Sequence, residues 1–257
     1  MSTAKDLIRE ELNKEFLQIC KEWENSHHYN SILYDTFKAR SLEIMELSNH
    51  IKVVRETSSG YGEDAFRYLW LHLVNQMPDK FNFLEIGVYK GSVLSLVELL
   101  ADIFGMSKEI YGVSPLDNSG DKYSNYLEQD YSAAINQLYS DLQLDISDTK
   151  IIKGYSTDPL IKHKIINMEL FDIIYIDGSH DYEDVLSDIE LAHKCLKIQG
   201  LLVLDDASSR INLGPSPEFY GHEDVARAID DVLINDQNYV HLFALGHNRV
   251  FKKVSNA

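Results

Sequence analysis

Apolar residues occur along this chain in two kinds of run, and the difference between them predicts its secondary structure. Short runs rich in β-branched and aromatic residues predict strands, because they are too short for a helix. The predicted strands cover residues 81–86, 109–113, 150–153, 171–176, 201–204, 239–245 and 249–254. Apolar residues at spacings of three and four predict helices. The predicted helices cover residues 2–24, 34–47, 64–76, 93–104, 133–142, 182–197 and 223–235.

Strands and helices alternate after residue 60, and this order predicts an α/β fold with a doubly wound sheet. Strand, helix, strand is a βαβ unit, whose two strands run parallel. The last two strands are separated only by residues 246–248, so they should form a closing antiparallel pair. We therefore expect a helical extension over residues 1–60 and one α/β domain over residues 61–257.

Glycine, proline and polar residues predict three long loops between these elements. They cover residues 56–63, 118–130 and 207–221, the last with Gly214, Pro215 and Pro217. A loop as long as 207–221 is typical of a lid or a wall of a substrate site.

Acidic residues follow two of the predicted strands, at the point where each strand ends. Asp177 follows the strand at 171–176, and Asp205 and Asp206 follow the strand at 201–204. Parallel strands end at the same edge of a sheet, which is where open α/β sheets bind ligands. We therefore expect the three carboxylates and His180 to meet in one crevice.

Charge and composition exclude some functions. With 24 basic and 41 acidic residues, the chain has a net charge of −17 and is poorly suited to nucleic acid. Cys20 and Cys195 form neither a disulfide framework nor a metal-binding pair. The charged N-terminus and the lack of an apolar run of about 18 residues predict a cytoplasmic protein without membrane contact.

A second candidate site is the glycine-containing turn after the strand at 81–86. Glu85 ends this strand, Gly87 and Gly91 follow, and a helix begins after Ser92. Such a turn offers backbone N–H groups and a positive helix end to a ligand. Glycines in these turns also serve packing alone, so the spacing by itself leaves both roles open.

The motif from Glu85 to Ser92, the Asp177–His180 segment and the Gln199-Gly200 turn resemble three motifs of the class I S-adenosylmethionine-dependent methyltransferases. The resemblance covers about residues 60–254 and implies a Rossmann-like, seven-stranded sheet that binds S-adenosylmethionine. The residues that it implies for cofactor binding are Glu85, Gly87, Tyr89, Gly91, Ser92, Ser114, Asp117, Ser156, Asp177 and Gly178.

Two positions depart from that family's pattern. Tyr89 stands where the first motif usually has its middle glycine, and Ser114 stands where an acid usually binds the ribose. Asp117 could replace this acid if the turn at Pro115 brings it round.

More narrowly, the acids and His180 resemble metal-dependent O-methyltransferases that act on sugar moieties of macrolides and related products. This resemblance implies that Asp177, Asp205 and Asp206 bind Mg²⁺ or another hard divalent cation. It also implies that His180 is the general base, with Asp181 as the competing candidate. From the residues alone, Asp177 could instead cap the next helix.

The implied acceptor is a small molecule, with a sugar or nucleotide-linked sugar first, while a catechol-like diol and a carboxylic acid stay open. His247 is the best of the other histidines for acceptor contact, and the N-terminal helices could form a homo-oligomer. A metal-dependent hydrolase, an NAD(P)-dependent oxidoreductase and a binding module are the alternatives. Against the oxidoreductase, this chain lacks the G-x-G-x-x-G turn that is typical of that class.

Overall fold

A computed structural model describes residues 3–60, 62–122, 130–213 and 219–256. Its helices are α1 (Ala4–Glu22), α2 (His27–Glu43), α3 (Met45–Glu56), α4 (Ala65–Asn75), α5 (Ser92–Phe104), α6 (Ser132–Asp141), α7 (Pro159–Ile166), α8 (Tyr182–Cys195) and α9 (Glu223–Val232). Its strands are β1 (Lys80–Ile86), β2 (Ser107–Ser114), β3 (Thr149–Lys153), β4 (Phe171–Ile176), β5 (Leu196–Leu204), β6 (Tyr239–Leu245) and β7 (Asn248–Lys253).

The strands form one sheet of seven in the order β3-β2-β1-β4-β5-β7-β6, which confirms the predicted fold. β1 to β5 are parallel, and β7 is antiparallel to both of its neighbours. The strand order reverses between β1 and β4, so the ends of these two strands form the crevice in which such sheets bind ligands.

Both faces of the central strands are buried under helices. All six residues of β4 are buried, as are the last six of β1. Phe83 and Ile173 pack into one apolar core, whereas Leu84 and Ile174 pack into the core on the opposite face. This explains why apolar residues occupy consecutive positions in these strands instead of alternating regularly with polar ones.

The N-terminal helices differ from the prediction. The helix predicted over residues 34–47 is two helices, α2 and α3, because Ile44 is extended, with φ −82° and ψ 119°. No glycine or proline marks this break. α2 packs on α4, and α1 packs on α4 and β6. The division at residue 60 remains a prediction.

The start of β5 and the presence of α7 also differ from the prediction. β5 begins at Leu196 instead of residue 201, so α8 ends at Cys195. α7 was not predicted, although Asp158 caps its first turn and Pro159 begins it. Of the predicted loops, residues 123–129 and 214–218, with Gly214, Pro215 and Pro217, lie outside the described residues. None of the described helices is long and apolar enough to cross a membrane.

Candidate functional site

The ends of β1 and β4 touch each other at Gly87. Gly87 has φ +100°, and a Cβ there would lie 1.9 Å from the carbonyl oxygen of Asp177. Asp177 N donates a hydrogen bond to the Ile86 carbonyl at 2.8 Å. Glycine is therefore required by the chain itself, so its presence alone does not prove that a ligand approaches this turn.

A cleft of about 200 Å³, the smaller cleft, opens along one side of this contact. Seven of the ten predicted cofactor-binding residues line it: Gly87, Tyr89, Ser114, Asp117, Ser156, Asp177 and Gly178. The turn at Pro115 brings Asp117 to the cleft, where its carboxylate accepts a hydrogen bond from Ser119 N at 2.9 Å. Gly91 packs behind, where an added Cβ would lie 3.1 Å from Ile135.

A larger cleft of about 850 Å³ lies on the other side of Gly87 and Asp177. Glu85 and Ser92, also predicted to bind cofactor, line this cleft, and Gly87, Tyr89 and Asp177 border both clefts. Asp205, Asp206 and His180 line the larger cleft as well. The sheet edge therefore brings the predicted acids together beside the glycine turn.

Asp205 and Asp206 share a histidine from the β6–β7 turn. His247 Nδ1 lies 2.8 Å from Asp205 Oδ1 and 3.2 Å from Asp206 Oδ1. The backbone supports this arrangement, because Ala207 N donates a hydrogen bond to the His247 carbonyl at 2.7 Å. Asp206 itself has a left-handed φ of +52°. Such strain is common where a side chain must be aimed into a site.

His180 is held between two carboxylates. Its Nδ1 lies 2.7 Å from Asp121 Oδ2, and its Nε2 lies 2.7 Å from Asp206 Oδ2. Its backbone N–H donates to the same Asp121 oxygen at 2.8 Å. Asp181 instead lines the smaller cleft and pairs with Lys122 at 2.9 Å. Of the two candidate bases, His180 is therefore the one in the cleft with the acid pair.

Residues 84–207 match a protein family described as a methyltransferase domain. The match runs from β1 to the residue after Asp206, so it includes the glycine turn and the acids.

A methyltransferase domain therefore spans residues 84–207, and the fold is that of the class I S-adenosylmethionine-dependent methyltransferases.

Known proteins with a similar sequence or structure agree with this placement. A protein of Acanthamoeba polyphaga mimivirus, R132, described as uncharacterized, is 28% identical over 145 residues, which are 54% of this chain and 59% of that protein. The Podospora anserina methyltransferase PaMTH1, with bound S-adenosylhomocysteine, superposes with a TM-score of 0.58 at 14% identity, over 86% of this chain and 95% of that one.

A third similar protein is MycE, a methyltransferase from the mycinamycin biosynthetic pathway. Its structure holds Mg, S-adenosylhomocysteine and mycinamycin VI. It superposes with a TM-score of 0.52 at 19% identity, over 80% of this chain and 54% of that one. At these identities the superpositions establish the shared fold. The chain spans about three fifths of the length of R132, the curated relative that it matches.

Burial and mutual repulsion govern the acids of this methyltransferase. Burial, and then the charges of Asp205, Asp206 and Glu85, raise the pKa of Asp177 well above its usual range. Burial, and then the charge of Asp205, raise the pKa of Glu85 to about 8. Glu85 Oε2 has no hydrogen-bond partner among the described residues. Carboxyl groups this close cannot all ionise unless positive charge lies between them.

The pKa values of two histidines at this edge are also raised, which favours their charged forms. Burial lowers the pKa of His247, but the charge of Asp205 and contacts with both acids outweigh it and raise the pKa to about 10. The pKa of His180 is also raised, because contacts with Asp206 and Asp121 outweigh its burial. Burial would raise the pKa of Asp206, but contacts with His180 and His247 lower it. His247 is therefore a positive counterion of these acids, and the contacts of His180 favour its charged form.

Two groups of described side chains are arranged so that they could hold a metal ion. One ligand atom each from Asp205, Asp206 and His247 lies within 4.8 Å of the others, and the same holds for His180, Asp206 and His222. Carboxylate oxygens suit Mg²⁺, Ca²⁺ or Mn²⁺. The predicted set named Asp177 and not His247.

Sequence reasoning missed Asp121 and His222 and gave His247 only acceptor contact. Asp121 lies in the loop after β2, far from His180 in sequence, and no local pattern connects them. The ring of His222 lies 4.3 Å from that of His180. The position of His247 follows from topology. β7 is antiparallel to β5, so the turn before β7 lies where β5 ends.

Asp188 of α8 lies beneath the smaller cleft, beside two predicted cofactor-binding residues. A Cβ added to Gly178 would lie 3.7 Å from Asp188 Oδ2, and the Ser156 side chain hydrogen-bonds the carboxyl. The residue is only 2% exposed. Burial raises the pKa of Asp188 to about 7, and the hydrogen bond from Ser156 opposes part of this shift.

We expect Asp188 to make the stability of this methyltransferase depend on pH. The folded chain keeps this proton up to about pH 7, whereas the unfolded chain releases it near 3.8. The carboxyl therefore destabilises the fold increasingly as the pH rises through that window. The free energy of unfolding of Asp188→Asn, taken relative to that of the natural chain at the same pH, should therefore rise by about 2 to 3 kcal/mol between pH 5 and pH 8. Urea unfolding at both pH values measures this gain, and an unchanged difference would contradict it.

Proposed function

We propose that this protein transfers the methyl group of S-adenosylmethionine to a hydroxyl of a small-molecule acceptor, assisted by a hard divalent cation, Mg²⁺ first. One observation carries the proposal: Gly87 and Asp177 border both clefts. A cofactor held in the smaller cleft would therefore end beside the acid pair and His180 of the larger cleft. An acceptor in the larger cleft would meet it there.

The chemistry needs help at the hydroxyl rather than at the methyl group. The cofactor supplies an electrophilic methyl group, and that chemistry is its own. A hydroxyl with a pKa of about 15.7, like water, is about 9 units above a histidine near 6.5. At 1.36 kcal/mol per unit, the gap is about 12 kcal/mol, which is too much for a histidine alone.

Asp205 and Asp206 would hold the cation, with Asp177 or His247 as the third ligand. Binding would release the proton that His247 holds between the two acids, because a ligating imidazole is neutral. A bound cation of this kind lowers the pKa of an oxygen acid by several units. With Asp206 bound to the cation, His180 would lose the contact that favours its charged form, and its neutral ring would accept the hydroxyl proton at Nε2. Asp121 would accept a hydrogen bond from Nδ1 and so hold the ring in the tautomer whose Nε2 carries no proton. Nε2 would then be able to act as the acceptor once Asp206 no longer contacts it.

A metal-free methyltransferase is the second candidate, and the charges at the site favour it. Contacts with the acids favour the charged forms of His180 and His247, while burial and neighbouring charge favour the neutral forms of Asp177 and Glu85. Charge balance alone therefore does not require a cation. The proposal prefers the cation because two imidazolium rings supply no strong activation of the hydroxyl.

The proposed acceptor is a sugar or a nucleotide-linked sugar. The larger cleft has aromatic walls from Tyr34, Phe66, Trp70 and Phe219, which suit the apolar face of a sugar ring. The similar fold of MycE, whose structure holds Mg and mycinamycin VI, is consistent with this acceptor class. The net charge of −17 argues against nucleic acid. A cytoplasmic location and a homo-oligomer remain predictions.

Calorimetric titration with S-adenosylhomocysteine and, separately, with NAD⁺ tests the cofactor. We expect saturable binding of S-adenosylhomocysteine in a one-to-one complex and no binding of NAD⁺. The opposite pattern would favour an oxidoreductase. A metal-dependent hydrolase would release product from a candidate substrate without any S-adenosylmethionine, which the proposal excludes.

A further inference from the structure

Arg67 is a buried cation that lines the larger cleft. It lies on α4 and is only 4% exposed. Its hydrogen bonds to the described residues all leave from Nη1, which donates to the carbonyls of Gly62 at 2.8 Å and Glu63 at 2.9 Å. Its Nε is buried and has no hydrogen-bond partner among those residues. The Nε–Nη2 edge of the guanidinium is therefore unused by the described chain.

No described carboxylate forms an ion pair with Arg67. The adjacent acid, Asp64, directs both of its oxygens to Arg55, with Nη2–O distances of 2.8 Å. Burial lowers the pKa of Arg67 only to about 10, so the guanidinium is charged at neutral pH. A buried charge without a counterion is costly, and such charges are normally paired.

Holding the chain at Gly62 and Glu63 does not explain this arginine. Two carbonyl oxygens need only N–H donors, which a neutral amide side chain also offers. The permanent charge and the second donor edge exceed that need. A guanidinium with a free edge matches the two oxygens of a carboxylate or a phosphate in a bidentate contact.

We propose that Arg67 binds a carboxylate or phosphate group of a ligand in the larger cleft through its Nε–Nη2 edge. Two sources supply this chemistry, namely the amino-acid carboxylate of the cofactor and an anionic group on the acceptor. The first source rests on the proposed function, because it requires S-adenosylmethionine to bind here. Lys38 lines the same cleft and adds positive charge to it, whereas Arg55 is paired with Asp64.

The test titrates three ligands into the natural chain, Arg67→Gln and Arg67→Lys. S-adenosylhomocysteine carries the carboxylate, whereas 5′-methylthioadenosine keeps the nucleoside and thioether without it. Inorganic phosphate is then titrated into protein saturated with S-adenosylhomocysteine. Arg40→Gln is the matched control, since this arginine is exposed and, among the described residues, pairs only with Glu43. Thermal unfolding checks that each variant folds, and Arg67→Lys serves if Arg67→Gln does not.

If the cofactor supplies the anion, Arg67→Gln weakens S-adenosylhomocysteine by about 10- to 100-fold and leaves 5′-methylthioadenosine unchanged. If the acceptor supplies it, S-adenosylhomocysteine binds as before, but saturable phosphate binding to the complex is lost. Arg67→Lys should retain part of the affinity in either case, because it keeps the charge without the fork.

The proposal is overturned if Arg67→Gln changes the binding of neither S-adenosylhomocysteine nor phosphate. It is also overturned if the variant weakens the binding of S-adenosylhomocysteine and 5′-methylthioadenosine equally, as a purely structural role would. A natural chain that binds neither nucleoside would contradict the proposed function instead. Phosphate titrated without nucleoside would then still test the role of Arg67. Saturable phosphate binding that is lost in Arg67→Gln would support this role, and any other result would overturn it.

Discussion

Replacing Asp205 and Asp206 together by asparagine is expected to lower methyl transfer by about 10³-fold or more while the protein still binds S-adenosylhomocysteine. The two carboxylates are the oxygen ligands that the proposed cation requires, and without the cation the hydroxyl keeps a pKa near that of water. Neither residue lines the smaller cleft, so the cofactor should be little affected. Initial rates and calorimetric titration of the same preparations measure both effects.

Glu190→Gln is a suitable control for this double variant. Glu190 is exposed on α8 and pairs only with Lys194 among the described residues, so its loss removes an acid without touching the site. A double variant that keeps more than about a tenth of the natural rate would show that the acids do not activate the acceptor.

His180→Ala should lower kcat by about 10²- to 10⁴-fold with little change in cofactor affinity, because general-base assistance is typically of this size. The ring lines the cleft that holds the acid pair, whereas Asp181 lines the other cleft and pairs with Lys122. Asp181→Ala should therefore be mild. Kinetics at saturating acceptor separate kcat from KM for both variants.

Asp121→Asn tests how His180 is held. The substitution keeps the size of the side chain but removes the charge at Nδ1, and a change to such a supporting residue typically costs about 10- to 100-fold. We expect this loss in kcat with KM unchanged.

A severe loss in Asp181→Ala beside a mild loss in His180→Ala would reassign the base to Asp181.

The sequence predicts the centre of this fold well because the central strands carry their own signal. β4 has the predicted bounds, since all of its residues are buried and polar turns flank it. The start of β5 was predicted wrongly because Leu196 continues the helical spacing of α8. The break at Ile44 was missed because the apolar period runs through it without a helix stop signal.

The candidate site shows the same division between local and distant information. Asp205 and Asp206 could be predicted from their place after a strand, and so could Gly87. Asp121 reaches His180 across 59 positions of the chain, and only the tertiary structure reveals that contact. The sequence predicts which residues reach the sheet edge, but not which of their side chains contact one another.

Cation dependence of methyl transfer tests the central claim most directly. The protein is treated with chelator and incubated with S-adenosylmethionine labelled in its methyl group and a panel of sugars and nucleotide sugars. Mg²⁺ is then added back. The account predicts that labelled product appears with Mg²⁺, falls by orders of magnitude in chelator and returns when Mg²⁺ is restored. Transfer at the full rate in chelator would contradict it and leave a metal-free methyltransferase in which His180 and His247 balance the acids.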